Sequence, residues 1–196
     1  SFKNIFSLKA LRYWQNQPLP KQRPVENQVY DITILENRIK REVSRLLAIR
    51  EEMKTIEKEL EHLIVQSGHQ LQTMNGCGTV LTAQVMAEIR NIDRFKSPHA
   101  LAKYAGVAPR EKSSGKTRRH VKTLAGNRRL NMAIHRIALT QIGAAGNKYA
   151  KAYYQRKISE GMTKAQALCR LKRRLVDIIY MILKRRKPYE YHGAKA

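Results

Sequence analysis

Between Asp31 and Gln66, apolar residues recur at alternating steps of three and four. Ile32, Ile39, Leu46, Met53 and Leu60 share one heptad position, and Leu35, Ile49, Ile56 and Leu63 share the other, with Glu42 the exception. Charged residues fill the flanks, as in "REEMKTIEKELEH", and the stretch has no Gly or Pro. That period predicts a coiled coil over 29–67, with a long helix packed on its own domain as the alternative. A coiled coil implies a homo-oligomer. Ahead of it, 1–28 reads as a short helical stretch near "SLKALRYW" and then a linker marked by Pro18, Pro20 and Pro24, or as the end of a preceding domain.

At Ser67-Gly68 the long pattern stops. Leu71 and Met74 suggest the end of a short apolar helix. Gly76-Cys77-Gly78 suggests a tight turn, and a second helix starts at Thr79 with Val80, Ala83, Val85 and Ala87 inward. This order fits a helix–hairpin–helix, in which glycines let the backbone approach a phosphate and the next helix points N–H groups at it. A plain helical link is the alternative. Ser97-Pro98 predicts the start of a short helix ending at Gly106. Residues 106–126 form a basic loop with room for one β-hairpin around Ser114-Gly115. Asn127 caps a helix with Leu130, Ala133, Ile134, Ile137, Ala138 and Ile142 inward. A helix from about Lys148 carries Tyr149, Tyr153 and Tyr154. "TKAQ" at 163–166 predicts a capping box. The last helix buries Leu168, Leu171, Leu175, Ile178, Ile179 and Ile182, with Arg170, Lys172, Arg173 and Arg174 on its other face. The expected fold is all-α: a coiled-coil helix, then a compact basic helical domain over 68–187, then a disordered tail over 188–196.

Charge sharpens this picture. The 196 residues carry a formal charge of +24. Residues 1–93 hold 13 Lys/Arg against 11 Asp/Glu, whereas residues 94–196 hold 26 against 4. So one-sided an excess repels itself and points to a polyanion partner at the second half. Cys77 and Cys169 are far apart and lack metal spacing, which fits free thiols in a reducing, cytoplasmic compartment. No apolar run is long enough to span a membrane, so no membrane partner is expected. The chain begins at Ser1 and not Met, as expected of a piece of something longer.

The candidate chemistry follows from what the basic half contains. Glu111, Glu160, Asp177 and Glu190 are scattered, and no pair has a spacing suited to Mg²⁺. The six histidines form no zinc motif. Serine is the remaining nucleophile. Ser113 and Ser114 lie in "APREKSSGKTRRH", among Arg110, Lys112, Lys116, Arg118 and Arg119. Guanidiniums would clamp a phosphate and stabilise charge developing on it. The plain alternative is a solvated basic loop. His120 offers a base, a phosphate contact or a surface residue. Gly76, Gly78 and Thr79 at the turn, Arg128 and Arg129 at the capped helix, and Lys172, Arg173 and Arg174 on the last helix complete the expected DNA-binding set.

The pieces "GCG", "RFKSPHALAKYAGVAP", "SSGK", "AGNRRL" and "YYQRKISEGMTKAQALCRLKRRL" occur in this order. Together they resemble the C-terminal transposase domain of the insertion-sequence-110 class. These are relatives of the Piv invertase, some of them guided by a bridge RNA. The resemblance covers about residues 70–187, and the heptad helix occupies the place of that family's coiled coil. It implies binding to DNA (element ends and target) and, for some members, to a guide RNA. It implies a serine that attacks a DNA phosphate to form a 5′-phosphoserine link. The family's serine precedes a glycine, which matches Ser114, with Ser113 one residue off. It implies Mg²⁺ held by a separate RuvC-like domain, whose acidic pattern this chain does not show. No cofactor is expected in the chain itself, which should bind DNA without recombining it. A non-catalytic nucleic-acid-binding module is the competing reading.

Overall fold

The computed structural model describes residues 7–17, 32–108, 110–114, 117–121 and 126–189, with residues 110–114 and 117–121 described by their backbone. The chain divides into two compact units, Ser1–Glu59 and Leu60–Ala196.

The first unit contains α1 (Leu8–Asn16) and most of α2 (Ile32–Gln66). Ser7 starts α1 by accepting a hydrogen bond from the Ala10 N–H. Ala10, Leu11 and Val43 are buried, and Gln15 Nε2 donates to Ser44 Oγ at 3.3 Å. Val43 lies off the heptad seam. The seam itself is open: Leu35, Ile39, Leu46, Ile49, Met53, Ile56 and Leu63 are 38–62% exposed. Helix α2 thus presents an apolar stripe to solvent along most of its length.

The second unit is helical apart from one hairpin. A 3₁₀ turn (Leu71–Thr73) precedes α3 (Thr79–Ile89), and a second 3₁₀ turn (Ile92–Arg94) precedes α4 (Pro98–Tyr104). Strands β1 (Arg110–Ser114) and β2 (Thr117–Val121) pair antiparallel, Arg110 opposite Val121 and Ser114 opposite Thr117. Then come α5 (Arg128–Ile142), α6 (Lys148–Ser159) and α7 (Lys164–Arg185). Side-chain caps set the helix starts. Ser97 accepts from Ala100 N–H, Asn127 from Leu130, Asn147 from Tyr149 and Ala150, and Thr163 forms the expected capping box with Gln166.

Helix α7 is the central element. It packs on α4, α5, α6 and both 3₁₀ turns, while α3 lies on α5. Leu171, Leu175, Val176, Ile179 and Leu183 of α7 meet Leu130, Ile134 and Ile137 of α5 in one core with Leu71, Met74, Val85, Ile89 and Leu101. Burying a side chain of this size is worth about 1.5–3 kcal/mol. Tyr180 is buried with its hydroxyl donating to the Phe95 carbonyl at 3.1 Å.

Three expectations are corrected here. The turn before Gly76 is preceded by a single 3₁₀ turn, because only Leu71 and Met74 find the core. Helix α3 turns Thr82, Val85 and Ile89 inward and leaves Val80 and Ala87 exposed. Thr82 tolerates full burial because its hydroxyl donates to the Cys77 carbonyl at 3.2 Å. The tail is ordered at its start: Tyr189 packs on the core, and its N–H donates to Thr73 Oγ1 at 2.7 Å. Residues 190–196 lie outside the described residues.

Candidate nucleic-acid interface

The residues flanking the hairpin are fastened together. Gly106 and Gly126 stand back to back, with φ of +66° and +126°. A Cβ on Gly126 would lie 2.7 Å from the Gly106 Cα, so the position requires glycine for both space and conformation. Next to it, the Asn127 N–H donates to the Tyr104 carbonyl at 2.7 Å. The Asn127 side chain makes three hydrogen bonds. Nδ2 donates to Glu88 Oε2 at 2.6 Å and to the Tyr104 hydroxyl at 3.0 Å, and Oδ1 accepts the Leu130 N–H. The Tyr104 hydroxyl donates to the Glu88 carbonyl at 3.3 Å. Arg94 lies 4.6 Å over the Tyr104 ring and 4.7 Å over Phe95. The Asn127 hydrogen bond, helped by Arg94, lowers the Tyr104 pKa.

One turn further along α5, Asn131 makes a second fastening. Its Nδ2 donates to the carbonyls of Ala105 and Gly106 at 2.7 and 3.2 Å, and its Oδ1 accepts from Lys172 Nζ at 2.6 Å. Lys172, expected to contact DNA, also holds Asn131. Burial first, and the Lys172 charge second, lower the pKa of the neighbouring His135. Nothing in the composition marked Glu88, Tyr104 or Asn131 as functional. The available signal was the spacing of two asparagines by one helical turn in "GNRRLN".

Between these fastenings lies the serine-bearing ribbon. Strand alternation sets Arg110, Lys112 and Ser114 on one face of the ribbon, shared through the register with Thr117, Arg119 and Val121. Glu111, Ser113, Arg118 and His120 belong to the other face. The two candidate serines thus belong to opposite faces, and Arg118 pairs with Ser113 rather than Ser114. Gly115 and Lys116 lie outside the described residues.

The remaining candidates separate by environment. Arg128 and Arg129 are exposed in the first turn of α5. Arg129 reaches Glu88 only at 3.9 Å, with its side chain 83% exposed. Arg173 pairs with Asp177, and Arg174 lies 5.1 Å from the Tyr153 ring centre. Gly76 is held against α5: φ is +85°, and a Cβ would meet the Ile137 carbonyl at 3.2 Å and Thr140 at 3.3 Å. Gln141 fastens the same turn by donating to the Asn75 carbonyl at 2.8 Å. Gly78 differs. It is exposed, caps α3 at φ −67°, and has open space where a Cβ would stand. Thr79 is half-buried beside it. Cys77 is buried in the turn, and burial pushes its thiol up to about 12, while Cys169 is exposed. Among the described residues no three His, Cys, Asp or Glu gather where they could hold a metal ion, and no helix is long and apolar enough to cross a membrane.

Comparison with known proteins agrees with this organisation. Residues 68–155 match the model of the Transposase IS116/IS110/IS902 family. A 44.8 kDa protein of insertion element IS116 from Streptomyces clavuligerus is 31% identical over 143 residues, covering 71% of this chain and 35% of that protein. A 43.6 kDa protein of insertion element IS110 from Streptomyces coelicolor is 31% identical over 153 residues, covering 75% and 36%. The pilin gene-inverting protein of Moraxella bovis is 26% identical over 122 residues, covering 61% and 38%. The chain spans little more than a third of the length of these relatives. The matched segment runs from the end of α2 through most of α6 and includes the hairpin with its fastenings, so the chain carries a domain of the IS116/IS110/IS902 transposase family.

Proposed function

We propose that this chain is the DNA-binding, phosphate-handling part of a transposase, and that Ser114 is its nucleophile. The observation that carries the reading is the ribbon register: Ser114 shares a face with Arg110, Lys112 and Arg119, inside a segment matched to a transposase family. In the proposed step the Ser114 Oγ attacks a backbone phosphorus. The Oγ–P bond forms, the P–O3′ bond breaks, and the serine proton ends on the released 3′ oxygen. The 5′-phosphate stays on serine, so the bond energy is kept for rejoining to another 3′-hydroxyl. The cations on that face neutralise the phosphate and the charge growing on it.

Arg128 and Arg129 support the DNA-binding half of the proposal. Two guanidiniums at the positive end of α5 oppose the helix dipole. A phosphate seated there would relieve that opposition. The exposed seam of α2 supports a second copy of the chain as a partner. The Mg²⁺ that the resemblance implies would be held by a separate acidic domain and not by residues of this chain.

The test is a trapping experiment in a transposase of the relatives' full length, using DNA nicked so that rejoining is blocked. A covalent protein–DNA adduct is expected. Ser114→Ala should abolish it while changing DNA affinity by less than about two-fold, since a neutral hydroxyl adds little to a charge-dominated interface. Ser113→Ala should leave the adduct. An adduct that persists in Ser114→Ala removes the nucleophile assignment. Binding without any adduct in the unmodified protein favours the non-catalytic module.

A further inference from the structure

A groove of about 660 Å³ opens between α6, α7 and the Lys187–Tyr189 segment. Its lining is of two kinds. Ile178, Met181 and Ile182 give it an apolar floor, and Tyr153 and Tyr189 add aromatic surface. Met181 is 36% exposed, although the neighbouring Tyr180, Ile182 and Leu183 are buried. Around this floor stand Arg170, Arg173, Arg174, Arg185 and Lys187, against the single carboxylate of Asp177, which is already paired with Arg173. Three cations, Arg156, Lys157 and Arg174, lie within 6 Å of the Tyr153 ring centre.

Each half of that lining narrows the ligand. A bare phosphate needs the guanidiniums but gains nothing from an apolar floor. Duplex DNA offers phosphates, but its base faces are stacked inside, so the floor would stay wet. A purely acidic peptide such as polyglutamate has carboxylates and no planar ring to set against tyrosine. An unstacked nucleotide has both parts: a flat apolar base and a phosphate joined by a short sugar. We propose that this groove seats an unstacked nucleotide of a single-stranded nucleic acid. The base lies on the floor between Tyr153 and Tyr189, and its phosphate meets Arg170 and Arg174. The inference needs only the groove and is independent of the Ser114 chemistry.

The test is fluorescence anisotropy with the full 196-residue chain. The probes are an oligo-dT and an oligo-rU strand of about 15 nucleotides, a duplex of matching length, and polyglutamate as competitor. Tyr189→Ala and Met181→Glu should each weaken strand binding about ten-fold or more and change duplex binding by less than about two-fold. Tyr189→Phe keeps the ring and should keep the affinity. Arg174→Met should weaken strand binding more than the same change at Lys164, an exposed lysine outside the groove. Tighter binding of either strand type keeps the proposal and names the sugar. Equal loss of strand and duplex binding in Met181→Glu would overturn it, as would polyglutamate competing as well as oligo-dT. Met181 is exposed, so this variant carries the test even where Tyr189→Ala melts the domain.

Discussion

At the residue scale, the two glycines of "GCG" have different physical reasons to be there. Gly76 is left-handed and touches the α5 backbone, so Gly76→Val should cost roughly 1–3 kcal/mol of stability, read as a lowered thermal midpoint. Gly78 has ordinary φ and empty space around it, so Gly78→Val should melt within a degree or two of the parent, about what a small surface effect produces. That tolerance makes Gly78 the useful probe of DNA contact. A folded Gly78→Val chain with weakened binding to all sequences alike would support backbone contact at the turn. Unchanged binding would leave the turn as a connector. Cys77 lies between them with its thiol pushed up to about 12. Burial keeps Cys77 in the unreactive thiol form and out of reach of reagents, whereas Cys169 is open to solvent. A maleimide should therefore label one site on the native chain and two on the denatured chain, read by mass. Rapid labelling of Cys77 in the native chain would contradict its burial.

At the element scale, the hairpin depends on how its ends are held. Two short strands are marginal on their own. Asn127 and Asn131, both on the first turns of α5 or its cap, hold the incoming chain to Glu88, Tyr104, Ala105 and Gly106. Asn127→Ala removes a helix cap and leaves Glu88 and Tyr104 without that partner. It should lower stability by about 1–3 kcal/mol, and amide exchange should rise in the hairpin before it rises in α7. Uniform exchange across the domain would mean that the asparagine caps α5 and does nothing for the hairpin. Helix α2 poses the complementary case, an element with too little covering it. Leu46→Asp with Ile49→Asp puts two charges on its open seam and should convert a dimer or higher oligomer to monomers in light scattering. If the unmodified chain is monomeric at micromolar concentration, the seam has another use.

At the scale of the whole molecule, charge dominates. The half with 26 Lys/Arg against 4 Asp/Glu, residues 94–196, overlaps the family-matched segment 68–155 over residues 94–155. Part of this charge serves the fold: Lys172 holds Asn131, Arg173 holds Asp177, and Lys184 holds Asp93. Arg94 over Phe95 and Tyr104, and Lys157 beside Glu160, are further examples. With about six to ten phosphate contacts, DNA affinity should fall by about three to five decades between about 50 and 200 mM salt. A flat salt response in a binding titration would remove the nucleic-acid reading altogether.

Local patterns were sufficient for much of this protein. Capping residues act on the helix that follows them, so Ser97, Asn127 and Thr163 announced α4, α5 and α7 directly. The heptads of α2 and the charge split are likewise properties of the chain itself. What a residue faces was different, because it depends on partners distant in sequence. The Lys172 bond to Asn131, 41 residues earlier, appears only once α5 and α7 pack. The Ile137 carbonyl that crowds Gly76 is likewise supplied by α5. Thr82 is polar, yet the fold buries it because a carbonyl five residues back accepts its hydrogen bond. The groove with Tyr153 and Tyr189 exists only because α6 and the segment after α7 converge on one helix face. Periodicity and caps are set within a few turns of chain, whereas sites are assembled by packing, and packing alone decided which cations were spent on the fold.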